Sequence, residues 1–376
     1  MGARQGFAPR GNAASPDQDG RRARIVALAE ALDARDTAAS HAALADAVEA
    51  GALAGRPGGA LTPTVAVAAG RLPARLRPWL ARGFLPFRSK PLACPDDRRE
   101  ALGLLIDMAA GTPELTCPPH WVVGDRILTL ELPDAADLRQ VLDVSPAAGR
   151  DWVHEACLRS LRAFADHDAE LRAALAEAGF AAPETFPVAE RYLTAVEQLS
   201  RLLGPLDLPA ALPRLRSPGP LTLFCDPKPA NFVLPRAMAA QGPAAGWPVR
   251  IDLDLLRYAC PVSLQVVIAL YAHPIALPRH GPGGTGFAGL LDDALGAGVR
   301  FGAEPEETEA MLLYHLLRNF TSAAQDPSAD GARKAAALAP VLRTVLTSLR
   351  SIPPAPKTAA LLASWPSVNV VTTNLD

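Results

Sequence analysis

Segment 221–234, LTLFCDPKPANFVL, concentrates the residues of this chain that could do chemistry. An apolar run, LTLF, leads straight into Asp226. Asn231 follows five residues later and opens a second apolar run over 231–234. Further on, VRIDLDLLRY sets Asp252 in another apolar run, 249–253. A carboxylate exposed at a strand exit can accept a proton. The amide oxygen of Asn231 and the carboxylate of Asp252 are two oxygen ligands, a set that suits Mg²⁺, which takes few protein ligands and keeps positions for water and phosphate. A base with two such ligands is the minimal kit for moving a phosphoryl group from a metal-bound nucleotide to a hydroxyl.

These residues carry a family resemblance. Asp226-Pro227-Lys228-Pro229-Ala230-Asn231 resembles the D-x-K-P-x-N catalytic loop of the protein-kinase-like superfamily. Ile251-Asp252-Leu253-Asp254 resembles the I-D-[LF]-[DG] that replaces the protein-kinase DFG in aminoglycoside-phosphotransferase-like and other small-molecule kinases. The chain is thus similar to the aminoglycoside, choline and sugar-type phosphotransferases, as a divergent member, with the pieces in order over 90–271.

The resemblance implies an α+β, two-lobed protein-kinase-like fold with a small mixed N-lobe and a larger helical C-lobe. It implies an enzyme that moves the γ-phosphate of ATP to a hydroxyl of a small molecule, with ATP and Mg²⁺ as cofactors. Asp226 would be the catalytic base, and Lys228 would contact the transferred phosphate. Lys90 would be the nucleotide-phosphate lysine and Glu100, on the next helix, its ion-pair partner. The backbone of Glu131 and Leu132 would hydrogen-bond adenine. Asn231 and Asp252 would hold Mg²⁺, with Asp254 a second metal or water contact or a structural acceptor. Acceptor contacts would come from the helices after Asp252; a cleft rich in acids there would suit aminocyclitols or choline.

The family's usual His two residues before the base is here Phe224. The acid expected on the helix after I-D-x-D is absent, and CPVSLQVV offers Ser263 and Gln265 instead. An apolar brace at Phe224 in place of a polar one is the reading that joins the two departures. Two alternatives stay open: an inactive pseudokinase acting as a nucleotide-binding or interaction module, and a protein Ser/Thr kinase. Lys228 leans toward the latter, but no A-P-E-like segment follows Asp252.

Positioning these residues needs surrounding elements. Residues 1–22 read as a disordered tail and 23–59 as a helical extension with helices over 24–34 and 38–53. The N-lobe is expected over 60–132 and the C-lobe over 133–376. Gly55-Arg56-Pro57-Gly58-Gly59 reads as a loop and not as a Walker A, since it lacks G-K-[ST]. Segment 64–82 fits either a strand or a helix. An extended segment, 83–93, carries Lys90, and a capped helix follows over 98–110. Strands are expected over 120–123, 126–132, 221–224, 231–234 and 249–253. A helical run starts after Asp134, and further helices are expected over 150–179, 188–203, 262–271, 287–297, 305–320 and 330–349.

Composition sets the outer bounds. Of 376 residues, 49% are hydrophobic and 20% charged, so a sizeable core is available. The 37 prolines and 28 glycines interrupt the apolar runs and exclude a long coiled coil. A net charge of −2 gives no basic excess for nucleic acid, so no nucleic-acid partner is expected. No apolar run is long enough for a membrane span, and the N-terminal sequence lacks an apolar signal region. Five cysteines without a C-x-x-C pair read as small core residues of a reduced, cytoplasmic protein.

Overall fold

The computed structural model describes residues 16–56, 59–144, 147–212, 220–239, 241, 248–272 and 288–365. The first part of the expected tail, the middle of the 235–248 insertion, most of the end of the 204–220 connection and nearly all of the last dozen residues lie outside the described residues. The architecture is α+β: among the described residues helices dominate, the sheets are small, and there is no barrel. The chain divides into two compact units, residues 1–99 with 118–133, and residues 100–117 with 134–376.

The first unit pairs two helices with a five-stranded antiparallel sheet. Helix α1 (Pro16–Asp33) begins earlier than its apolar pattern predicts. Asp17 and Asp19 sit in its first turn, where the helix dipole favours acids, and pair with Arg21 and Arg22. Helix α2 (Thr37–Glu49) is capped by Asp36, whose side chain accepts from Ala39 N at 2.9 Å. The strands are β1 (Leu53–Gly55), β2 (Leu61–Pro63), β3 (Leu85–Pro91), β4 (His120–Val123) and β5 (Arg126–Glu131), in the order β1-β2-β3-β5-β4. Segment 64–82, read as strand or helix, holds 3-10 turns and the short helix α3 (Arg77–Ala81). Gly124 turns β4 into β5 with φ +59, and a Cβ there would come within 2.7 Å of the His41 ring, so only glycine fits.

The second unit is mostly helical. Helix α4 (Asp96–Gly111) begins in the first unit and lies largely in the second. Strand β6 (Ala135–Asp137) occupies the start of the run after Asp134 that reads as helical, and α5 (Leu138–Val144) completes it. Next come α6 (Ala147–Glu177), β7 (Glu184–Thr185), α7 (Val188–Leu203), β8 (Leu221–Leu223), β9 (Phe232–Pro235), α8 (Arg236–Ala239), β10 (Val249–Arg250) and β11 (Tyr258–Pro261). The chain continues with α9 (Val262–Tyr271), α10 (Ala288–Arg300), α11 (Pro305–Gln325), α12 (Ala329–Ser348) and α13 (Pro356–Ala363). Strand β9 lies between β6 and β10, and β11 lies between β7 and β8. Every residue of α9 is buried, packed among α6, α10 and α11. A helix apolar all round belongs in a core of this kind.

Several charged side chains are buried in this unit, Glu307 and Glu309 on α11 among them, and one of them is fully enclosed. Arg250, on β10, is 0% exposed. Its guanidinium lies 5.2 Å from the Phe164 ring centre and 5.3 Å from that of Phe232, and Nη1 donates to Ser160 Oγ at 3.1 Å. Nε and Nη2 have no hydrogen-bond partner among the described residues. Desolvating the guanidinium costs several kcal/mol, which one neutral hydrogen bond and two ring contacts only partly offset. The volume of Arg250 therefore contributes more to stability than its charge. Arg250→Met is expected to unfold at an equal or higher urea midpoint, whereas Arg250→Ala loses about 3 kcal/mol through the cavity it leaves. A large loss in the Met variant would show that the charge itself is needed.

Candidate functional site

The expected loop leaves β8 and is tied to both small sheets of the second unit. Phe224 N donates to Tyr258 O at 2.8 Å, which joins the loop entry to β11. At the exit, Ile251 N donates to Asn231 O at 2.8 Å, beside the β9–β10 register of Phe232 opposite Arg250. Asp226, Asn231 and Asp252 are thereby linked through a short chain of hydrogen bonds. Strand β10 ends at Arg250, earlier than the apolar run predicts, so Asp252 lies in the following turn. Asp226 has φ +46 and Asp252 φ +70, two of four non-glycine residues with positive φ among the described residues. A left-handed backbone is uncommon outside glycine, though Asp tolerates it better than most residues. It turns the chain sharply at the ends of short strands.

Asp226 is buried, 7% exposed, where the sequence suggests an exposed carboxylate. The reason is local pairing. Lys228 Nζ donates to its Oδ2 at 2.5 Å, and Asn231 Nδ2 donates to the same oxygen at 3.0 Å and to the Asp226 carbonyl at 3.0 Å. Both of these side-chain bonds fall on Oδ2 rather than Oδ1. Asn231, 3% exposed, spends its amide nitrogen on Asp226 and keeps its oxygen as a donor to a cation. With the half-buried Asp252 carboxylate it would make an oxygen-only pair of the kind Mg²⁺ takes, although no group of three or more His, Cys, Asp or Glu placed to hold a metal occurs among the described residues. Asp254 opens a 3-10 turn that leads into β11.

The loop is braced from α9 by a side chain that the sequence left as one of two options. Gln265, 0% exposed, accepts from Cys225 N at 3.0 Å through Oε1. Its Nε2 donates to Thr222 Oγ1 at 2.8 Å and to Leu223 O at 3.2 Å. Ser263 turns away and donates to Glu307 at 2.8 Å. Phe224 packs edge-on against Phe186, with ring centres 4.8 Å apart. Burial pushes the Cys225 thiol up to about 11, so it stays protonated and is no nucleophile. All five cysteines are buried and free.

Beside Asp226 and Lys228 opens a cavity of about 360 Å³. Its walls include Phe186, Leu264 and Ile268, and Arg191 and Arg318 line it from α7 and α11. This cavity is not the acid-rich cleft that would suit aminocyclitols; carboxylates gather instead in a separate cavity of about 360 Å³, lined by Asp151, Glu155, Asp292 and Asp293. In the cavity beside Lys228, Asp226 is the single carboxylate among the described lining residues. His315, also in the wall, is lowered to about 4 by burial, with Arg318 adding to the shift. Neutral at ordinary pH, it meets the Asn319 amide at 2.9 Å through Nε2. These cavity residues were missed in the sequence, where no motif marks them.

In the first unit, Lys90 is half-buried on β3, paired in register with Ile127 of β5. Glu131 ends β5 and Leu132 follows, both half-buried and next to the boundary of the unit at Pro133. Glu100 is exposed on α4, and the half-buried Asp107 lies two turns further along the same face. The Gly55–Gly59 stretch, read only as a loop, joins β1 to β2. Gly59 has φ +76, and its carbonyl accepts from Arg126, whose Nε also donates to Ser89 at 2.6 Å. The tip residues 57–58 lie outside the described residues.

No family model, no curated protein and no solved structure matches the chain.

Two outcomes follow from the buried polar groups. Gln265→Ala orphans the Cys225 N–H and removes donors from Thr222 and Leu223. A loss of about 1–3 kcal/mol is expected, with faster hydrogen exchange at the Cys225 amide; an unchanged exchange rate would show that the amide does not hold the loop. Burial lowers the His315 imidazole to about 4 in the folded chain, from an ordinary value of about 6.5. Between these pH values the unfolded chain takes up more protons, so the stability due to neutral His315 is present above 6.5 and falls by about 3 kcal/mol as pH drops to 4. Urea titrations across that range should be correspondingly flatter in His315→Gln, and parallel curves would exclude His315 as the cause.

Proposed function

We propose that this chain is an ATP-dependent phosphotransferase of the two-lobed protein-kinase-like type, acting on a hydroxyl of a small molecule. The observation that carries the reading is the hydrogen-bonded chain from Asp226 through Asn231 to the Ile251-Asp252 turn, with both aspartates in left-handed backbone. Strained backbone of this kind clusters at functional sites because neighbours must hold it. Two further features support it. Lys90 stands on the third strand, with a glycine-rich turn between the first two strands and an acid-bearing helix after it. Protein kinases use the same order of glycine-rich loop, β3 lysine and helix glutamate. The cavity beside Asp226 has the size of a small-molecule site, which favours a small acceptor over a peptide.

In this reading Asp226 orients the acceptor hydroxyl through Oδ1 and takes its proton as the acceptor oxygen bonds to the γ-phosphorus. The bond between that phosphorus and the β–γ bridging oxygen breaks, and ADP leaves. Lys228 starts paired with Asp226 and is close enough to follow the phosphoryl group. Lys90 neutralises nucleotide phosphate charge, and the Glu131–Leu132 backbone receives adenine. Asn231 and Asp252 would hold Mg²⁺, which supplies charge neutralisation at the phosphates when bound. The free buried thiols suit a reduced, cytoplasmic setting. No helix among the described residues is long and apolar enough to cross a membrane.

The test is turnover of Mg²⁺–ATP by the full chain over a panel of hydroxyl compounds, with Asp226→Asn beside it. Loss of a general base lowers kcat by about 10²–10⁴-fold, while ATP affinity in Asp226→Asn should stay within a few-fold. Lys90→Met should instead weaken ATP binding. Nucleotide binding with no transfer to any hydroxyl would reject the enzyme and leave a binding module.

A further inference from the structure

We propose that the acceptor received by the cavity beside Asp226 is an anion: a hydroxyl compound with an apolar body and a carboxylate or phosphate group. The hydroxyl in this proposal rests on the phosphotransferase reading; the charge does not. It rests on the side chains that line the space. Arg191, Lys228 and Arg318 bring three cations. The one carboxylate among the described lining residues, Asp226, is already paired with Lys228. His315 adds no negative charge and stays neutral above its low pKa.

Arg191 and Arg318 both bring a guanidinium to the space. Both are exposed, while the residues that pack the cavity wall behind them, Leu264 and Ile268, are buried. The guanidinium carbon of Arg191 lies 4.6 Å from the Phe186 ring centre, and Arg191 also interacts with the Tyr314 side chain, so its head group is held at the cavity wall. A guanidinium presents paired N–H groups that match the two oxygens of a carboxylate or phosphate. The aromatic and aliphatic walls accept a hydrocarbon or ring beside that group. An ammonium-bearing acceptor would meet three like charges there and gain only the paired Asp226.

A matched series of one skeleton tests the charge: mandelate, mandelamide and 2-amino-1-phenylethanol carry the same phenyl and hydroxyl with negative, zero and positive charge. Glycerol 3-phosphate against glycerol tests the phosphate source in the same way. Calorimetric binding to the full chain without nucleotide is read first. The anion of at least one series should bind at least tenfold tighter than its neutral and cationic counterparts, and the affinity should fall with added salt. Arg191→Gln and Arg318→Gln should each weaken that anion by about tenfold or more, as expected for a lost charge-assisted hydrogen bond, and Arg318→Lys should recover part of the loss. Both sites are exposed, so unfolding midpoints should be unchanged. Equal binding across charges, tighter binding of the amine, or no effect of either arginine overturns the proposal. Transfer from Mg²⁺–ATP is read second. Anion binding without transfer rejects the phosphotransferase reading and keeps the charge assignment; transfer that favours neutral or cationic acceptors does the reverse.

Discussion

One buried amide, Gln265, holds the loop on which the candidate chemistry depends. The loop contains an aspartate in left-handed backbone, and a second such aspartate follows β10. Conformations of that kind persist only where neighbours over-determine them. Gln265 accepts from the residue just before Asp226 and donates to two groups on the strand that leads there. Its own position is fixed by helix α9, buried along its whole length. The causal order therefore runs from apolar packing, to one amide, to the direction in which a carboxylate leaves the loop.

A neutral brace suits these surroundings better than a charged one. The region is dry enough that the Cys225 thiol is pushed up to about 11 by burial, with the Asp226 charge adding to the rise. The Cys260 thiol is raised further by burial, with the same carboxylate contributing. A second carboxylate at position 265 would stand in this low-dielectric space near Asp226 and disfavour its ionised form. Gln265 supplies the same acceptor geometry and adds two donors without that cost. Asp226 is then left with Lys228 and Asn231 as its immediate partners, one a cation and one a neutral donor, both on the same oxygen. The arrangement places both side-chain hydrogen bonds on Oδ2.

How much of this could be read in the sequence differs by element. Helices over 188–203 and 262–271 follow their pattern to the residue, since α7 is strongly amphipathic and α9 is apolar and bounded by Pro261. The chain of short strands around Asp226 was also legible, because apolar runs flank polar loop residues there. Strands β1, β2, β6 and β11 were not, being only three or four residues long, too short for alternation to show. The reading of 55–59 as a loop agrees with its place between β1 and β2. The contribution of Gln265, the burial of Asp226 and the cations of the cavity depend on tertiary contacts. Arg191 and Arg318 reach one space from α7 and α11, far apart in sequence, so no local spacing could announce them.

The departure at Phe224 connects the brace with the cavity. A histidine there would offer hydrogen bonds and a titratable ring. Phenylalanine instead starts an aromatic stack in which Phe224 meets Phe186 edge-on and Phe186 carries the Arg191 guanidinium on its face. All three residues line the same cavity. Phe186 also meets Tyr258 at the start of β11, the strand that receives the hydrogen bond from Phe224 N. One substitution of residue type thus joins the loop to a neighbouring strand by packing, and holds a cation where a ligand would enter. The support of the loop and the charge of the cavity are therefore one structure, and a change at Phe224 or Phe186 acts on both.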